Sequence, residues 1–239
     1  MKLFFKFFVF LLFFIFSNFS FLYANELKAV YLIEVGTINI GNLIWNIKKS
    51  DNNYKISIIL KDKGFLSSVY KFNGKYETRG LIFNNSLIPL EYKQNWITRK
   101  KERNVNIVFK NGSLNELLLF PEEKEHSRIQ YIGIKNFLDP LSSFLNLLMG
   151  NNQSKTIDGR RIYSLVVDED SKKEGATTRK VLIKNYINIW SDHKRKDLEY
   201  IEIVQQINES VDLLPMIIKI KFKGIVFKLR KIYFLFFLK

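Results

Sequence analysis

The chain has no cysteine in 239 residues. That excludes disulfides, thiolate metal sites and thiol nucleophiles, so the protein must hold together by packing alone. Histidine is nearly as scarce. His126 and His193 lie far apart in charged stretches, with no His/Asp/Glu cluster at ligand spacing, and no metal site is expected. A serine nucleophile would need a histidine base and an exposing turn such as Gly-x-Ser-x-Gly, which does not occur. No glycine-rich phosphate loop occurs either. A glycosidase-type carboxylate pair is the constellation that stays open, because any two of the 23 acids can meet in space. The chain is therefore expected to be non-catalytic and to carry no cofactor.

Acidic residues are also few. Lysine and arginine number 38, which gives a formal charge of +15. Such a charge can mean a polyanionic partner. Here the lysine excess accompanies crowding by Asn, Ile and Phe, all residues of A/T-rich codons, so base composition accounts for much of it. No nucleic-acid partner is expected.

One long apolar run stands at the start of the chain. Lys2 and Lys6 precede the unbroken stretch from Phe7 to Phe16, polar Ser17, Asn18 and Ser20 follow, and Leu22-Tyr23-Ala24 ends on a small residue. This is the layout of a secretory signal peptide over residues 1–24, cleaved after Ala24, and it implies a periplasmic protein. The alternative is an uncleaved N-terminal membrane anchor, although a span takes about 20 apolar residues and this run is shorter. With no cysteine at the cut, a lipid-anchored lipoprotein is excluded. Residues 25–239 then form one domain, long enough for a sizeable core.

That remainder reads as short strands parted by turn signals, the pattern of an all-β barrel or sandwich. Lys28–Val35, Asn42–Lys48 and Tyr54–Lys61 come first, with Gly36 and Gly41 bracketing one connection and Ser50-Asp51-Asn52-Asn53 forming a turn. Asn73-Gly74 and Asn111-Gly112 are the dipeptides best suited to two-residue hairpins. The first would join Phe65–Phe72 to Lys75–Phe83, the second Arg103–Lys110 to Ser113–Phe120. Pro89 is expected to break the ladder before Glu91–Lys100. Asp158-Gly159 is a hairpin turn leading into Arg160–Val167, and Asp168–Gly175 is polar and reads as a mobile loop. Thr177–Trp190, Leu198–Asn208, Leu213–Lys223 and Ile225–Leu238 complete the strands.

A single convincing helix lies among them. Asp139 is a good N-cap, Pro140 suits the first helical position, and Gly150 is a natural stop. Leu141, Phe144, Leu145 and Leu148 make one apolar face. The expected fold is mainly β: a curved antiparallel sheet, or open half barrel, wrapped around one central helix at about 139–149.

Several segments resemble one family in order and spacing. They are Gly80-Leu81 through Pro89-Leu90-Glu91-Tyr92, then Asn136–Leu145 with its Asp139-Pro140-Leu141-Ser142 core, Asp158-Gly159-Arg160-Arg161 followed by Tyr163, and Pro215 in the penultimate strand. In these the chain resembles the bacterial family catalogued as domain of unknown function 3108. The resemblance implies an exported envelope protein of predominantly β structure with no established activity. Many members carry cysteines near the Asp-Gly-Arg-Arg turn, and this chain does not.

The candidate binding residues follow from these motifs. Arg160 and Arg161, on a rigid turn, could grip a carboxylate or phosphate. Neighbours in a strand point to opposite faces, so they could equally serve the turn and pair with Asp139 or an acid of Glu122–Glu125. Phe144, Leu145 and Leu148 could line a cavity for a lipid or other apolar ligand, or simply fill the core. Lys219, Lys221 and Lys223 alternate with Ile218, Ile220 and Phe222, and that lysine row would suit an anionic membrane surface or a solvated face. The apolar run Tyr233–Leu238 is the feature for contact with an envelope protein partner.

Overall fold

The structure, a computed structural model, describes residues 25–50, 52–63, 71–173, 175–191, 197–206 and 213–238. The leader expected over residues 1–24 lies outside the described residues, as does most of the strand expected over Phe65–Phe72.

The elements in chain order are β1 (Asn25–Val35), β2 (Ile38–Ser50), β3 (Asn53–Asp62), β4 (Phe72–Phe83), β5 (Ser86–Thr98), β6 (Glu102–Lys110), β7 (Ser113–Phe120), α1 (Pro140–Leu148), β8 (Gln153–Ile157), β9 (Arg161–Lys173), β10 (Ala176–Asn188), β11 (Leu198–Gln206), β12 (Ile217–Phe222) and β13 (Ile225–Leu238). All thirteen strands belong to one sheet in the order β7-β6-β5-β4-β3-β2-β1-β13-β12-β11-β10-β9-β8. Two wings of sequential hairpins meet where β1 pairs antiparallel with β13.

The edges β7 and β8 share no ladder, so the sheet does not close into a barrel. The chain between them occupies part of the seam. Leu114 N–H donates to the Ile134 carbonyl at 2.9 Å and Gly133 N–H to the Leu114 carbonyl at 2.7 Å. On the other side, Leu138 N–H donates to the Lys155 carbonyl at 2.9 Å and Ile157 N–H to the Leu138 carbonyl at 2.9 Å.

Alternation sets which face is inside. In β2, Gly41, Leu43, Trp45 and Ile47 are buried while the residues between them are half-buried. In β6, Val105, Ile107 and Phe109 do the same. Because successive side chains point to opposite faces, one face of each strand joins the core.

Three turns share a pair of positive φ angles: Asn84-Asn85 (48° and 61°), Asn111-Gly112 (52° and 70°) and Lys223-Gly224 (52° and 77°). The second is the expected hairpin. The hairpin expected at Asn73-Gly74 does not form. Both residues lie inside β4, opposite Lys61 and Leu60 of β3. Gly74 is needed there for space: an added Cβ would stand 2.8 Å from Trp96 Cε3 and 2.9 Å from Tyr76 Cε2. Trp96 lies against this glycine and stacks on Phe72, with ring centres 5.7 Å apart.

Pro89 does not break the ladder either. It sits within β5 opposite Gly80, where the register slips between Arg79 and Gly80, and such a bulge tolerates a residue without an N–H. Asp168–Lys173 is not a loop but the continuation of β9, paired with β10. Tyr233–Leu238 is not a free tail. It is the second half of β13, in register with Asn25–Val30 of β1.

The helix is held at both ends. Asp139 caps the N-terminus by accepting from Leu141 N–H and Ser142 N–H, each at 3.0 Å. At the other end Arg179 of β10, which is 9% exposed, donates to the Leu147 carbonyl at 2.7 Å and to the Gly150 carbonyl at 3.4 Å. A cation placed there also complements the negative end of the helix dipole. α1 packs against β8, β4 and β5.

Candidate functional site

A cavity of about 220 Å³ lies beside α1. The helix contributes Pro140, Leu141 and Phe144. The first wing contributes Leu43 and Trp45 from β2 and Ile58 from β3, all at inward positions of the alternation. The second wing closes the other side with Tyr163 and Leu165 of β9, Leu198 and Ile201 of β11, Ile218 and Ile220 of β12, and Leu229 of β13. No charged side chain is among these residues. The Phe144 ring leans on Trp45 with centroids 5.4 Å apart and planes tilted by 40°. Such a space recognises apolar surface, at roughly 0.8 kcal/mol per methylene that a ligand buries.

Of the three apolar candidates, Phe144 reaches this cavity. Leu145 and Leu148 are 0% and 6% exposed and belong to the packed core, outside its lining. Sequence reasoning missed Leu43, Trp45 and Ile58. They lie in the expected strands Asn42–Lys48 and Tyr54–Lys61, but which of their residues look across at Phe144 is fixed only by the sheet's curvature.

Arg160 and Arg161 are brought to other parts of the chain. Asp158 accepts from Arg160 N–H at 2.9 Å and from Arg161 N–H at 2.8 Å, which shapes the turn. Gly159 has φ of +91°, and a Cβ there would stand 2.7 Å from Val105 Cγ1. Arg160 Nε donates to Glu123 at 2.6 Å, and Arg161 Nη2 donates to Asp197 at 3.3 Å. The two guanidinium groups thus serve different partners, Arg160 pairing with an acid of the Glu122–Glu125 run as the turn reading allowed. Trp190 Nε1 donates to the Gly159 carbonyl at 3.1 Å. The turn therefore fastens the β8–β9 end to the β6–β7 end and to the strap after β7. Burial pushes the Asp158 carboxyl up, and the facing Arg161 guanidinium pulls it back down.

Asp139 stands at the centre of a buried polar group. Its Oδ2 accepts from Ser142 Oγ and from Thr78 Oγ1, the latter at 2.9 Å. Tyr54 Oη lies 2.8 Å from Ser142 Oγ. Thr78 Oγ1 is also 3.0 Å from the Glu91 carbonyl, and one hydroxyl proton cannot serve both acceptors at once. The Thr78 hydroxyl therefore donates to one of the two acceptors at a time. Burial pushes the Asp139 carboxyl up from its ordinary value, while the hydrogen bonds from Ser142, Thr78 and Leu141 oppose the rise. Burial also raises the Tyr54 hydroxyl. With Asp139 fully buried, the group acts as a cap and a core contact.

The lysine row carries matched acids. Lys219 meets Glu202 at 2.7 Å and Lys221 meets Glu199 at 2.7 Å, while Lys223 lies 5.6 Å from the Phe222 ring centre. Among the described residues, no group of three His, Asp or Glu is placed to hold a metal, and no helix is long and apolar enough to cross a membrane.

An open antiparallel sheet laid around one doubly anchored helix, with an apolar hollow at their junction, defines a β-barrel-like protein. The family model described as "Protein of unknown function (DUF3108)" matches residues 30–193, so the chain belongs to that family. The match ends before β11, and β11–β13 complete the far wall of the cavity. A similar solved structure is the β-barrel-like protein of domain of unknown function DUF1849 from Brucella abortus. It is 10% identical, with 90% of this chain and 98% of that chain covered and a TM-score of 0.50, and the likeness shows the fold. No curated protein matches.

Proposed function

We propose that this is an exported, periplasmic, non-catalytic protein that holds a lipid or other apolar ligand between α1 and the sheet. The observation that carries this reading is the 220 Å³ cavity with no charged lining residue. An engineered dry cavity of about 150 Å³ takes up benzene, so this volume suits one acyl chain end or one ring system rather than a two-chain lipid. Export rests on the Lys2, Lys6 and Phe7–Phe16 pattern, and the non-catalytic reading on the missing nucleophile, base and phosphate loop in the sequence. Native mass spectrometry of protein purified without detergent is expected to show a bound apolar species. Phe144→Trp, which fills the space, is expected to abolish it in a folded protein. Repeated ligand-free spectra of the unsubstituted protein would refute the reading. N-terminal sequencing of secreted material tests export: a start after Ala24 supports it, and a start at Met1 points to the anchored form.

A second reading, an assembly protein acting through an envelope protein partner, is favoured by β7. Beyond Leu114 this strand pairs only with β6 among the described residues, and its Leu118 and Phe120 are 55% and 56% exposed. A free edge with apolar side chains is a template for strand addition. Leu118→Lys is expected to abolish partner capture while leaving the fold intact. Unchanged capture would remove this reading.

A further inference from the structure

Three cations separated in sequence are brought into one line by strand register. Lys48 of β2 is the Cα partner of Lys55 of β3, and Lys55 is the partner of Arg79 of β4. All three are exposed and share the outer face of the sheet. Adjacent strands are about 4.8 Å apart, so the line spans roughly 10 Å. Like charges directly opposite one another destabilise a sheet, and among the described residues acids stand only at the two ends of this line. Glu26 meets Lys48 at 3.0 Å and Glu91 meets Arg79 Nε at 3.0 Å. Glu91 is shared with Lys93 at 2.8 Å, so it does not neutralise Arg79 alone. Lys55, in the middle, has no acidic partner among the described residues.

The surface under this line is concave. A hollow of about 240 Å³ is lined by the three cations together with Ser50, Gly80 and Leu90. The β-bulge opposite Pro89 falls between Arg79 and Gly80, and bulges re-aim the side chains beside them. Gly80 is required beside the line for a separate reason: a Cβ there would point to the core side and stand 2.5 Å from Tyr54 Oη. Arg79 donates only through Nε, which leaves both terminal nitrogens of its fork facing no acceptor among the described residues.

We propose that this hollow binds a phosphate group. A phosphate carries about −1.5 to −2 charges near neutral pH and three acceptor oxygens, which matches three cations only partly countered by acids. Arg79 supplies a planar fork for two oxygens, Lys55 a point charge at the centre, and Ser50 a hydroxyl at the rim. The three cations stand on the outer face of the sheet, and the hollow shares no lining residue with the apolar cavity. A phosphorylated small molecule and a phosphate headgroup of a lipid share this chemistry.

The test begins with inorganic phosphate titrated into the protein at low ionic strength, followed by backbone amide shifts. Saturable shifts are expected at Ser50, Lys55 and Gly80. Lys55→Gln is expected to weaken binding by about tenfold, the size of one lost hydrogen bond to a charged group. Lys110→Gln, an equal loss of net charge at the tip of β6, is expected to leave it unchanged. The second arm measures retention on vesicles of phosphatidic acid in phosphatidylcholine against phosphatidylcholine alone. Excess retention lost in Lys55→Gln assigns the group to a lipid headgroup, and phosphate binding without such excess assigns it to a soluble phosphate ester. Shifts that do not saturate, or equal weakening by Lys55→Gln and Lys110→Gln, would overturn the proposal.

Discussion

Arg179 of β10 reaches the end of α1 and donates to the Leu147 carbonyl at 2.7 Å, while its Nε holds Asp170 at 3.0 Å. A helix of nine residues is too short to be stable by itself, so its position depends on anchors supplied by the sheet. Arg179→Met keeps most of the side-chain packing but removes the charged donor, leaving the Leu147 carbonyl with only Gly150 N–H at 3.0 Å. The expected loss is about 2–3 kcal/mol in urea unfolding, with partial recovery in Arg179→Lys. A loss below about 0.5 kcal/mol would show that the helix is held without this contact.

The opposite anchor makes stability depend on pH. Burial raises the folded-state Asp139 above the ordinary carboxylate range, so the protonated form is the one favoured by folding. That contribution is fully present below the unfolded value of about 3.9 and is lost as pH rises through the raised folded value. Asp139→Asn mimics the protonated acid and can still cap the helix. Its stability relative to the unsubstituted protein is expected to improve from acid to neutral pH. A constant difference across that range would mean that folding leaves the Asp139 carboxyl at its unfolded value.

Leu145 and Phe144 are neighbours in sequence with separate consequences. Leu145 is fully buried away from the cavity, and Leu145→Ala is expected to cost about 2–5 kcal/mol by leaving a void. Phe144→Trp adds volume toward the hollow, and its main effect is expected on ligand retention rather than on the unfolding midpoint. Equal stability losses for both would place Phe144 in the core.

Gly74→Ala is expected to cost about 1–3 kcal/mol through overpacking against Trp96 and Tyr76. Trimming the obstacle should relieve the strain, so the same change in a Trp96→Leu background is expected to cost markedly less. A double-mutant cycle by urea unfolding measures the coupling. Additive losses would show that backbone conformation, not space, demands the glycine.

Arg160 and Gly159 test whether the Asp-Gly-Arg-Arg turn is a fastener. Arg160→Ala removes the bond to Glu123 and is expected to lower stability by about 1–2 kcal/mol. Gly159→Ala combines a positive φ with a clash at Val105 and is expected to cost about 1–3 kcal/mol. An anion site would instead lose binding at unchanged stability.

Local rules were legible wherever a residue acts on its immediate neighbours. Asp139 and Pro140 start a helix by satisfying or omitting the same few amide groups, whatever surrounds them. Asn111-Gly112 turns because both positions accept positive φ. Asn73-Gly74 offers the same dipeptide, yet the packing of Trp96 against Phe72 makes it a strand. Asn84-Asn85, a less favoured pair, takes the turn because the paired strands on either side bring it there. A short polar stretch such as Asp168–Lys173 joins β9 for a similar reason: hydrogen bonding to β10 decides it, and Arg179 gives Asp170 a partner.

The amino-acid order alone determined that this chain is mainly β, that one capped helix interrupts it, and that thiol chemistry is absent. These depend on periodicity, on neighbouring backbone groups and on composition, all of which are local. Tertiary structure decided which inner residues share the hollow with Phe144, that Arg160 and Arg161 hold Glu123 and Asp197, and that Lys48, Lys55 and Arg79 stand in a row. Those relationships join residues from seven positions apart, Lys48 and Lys55, to 101 apart, Leu43 and Phe144, and strand register and sheet curvature set the distances between them.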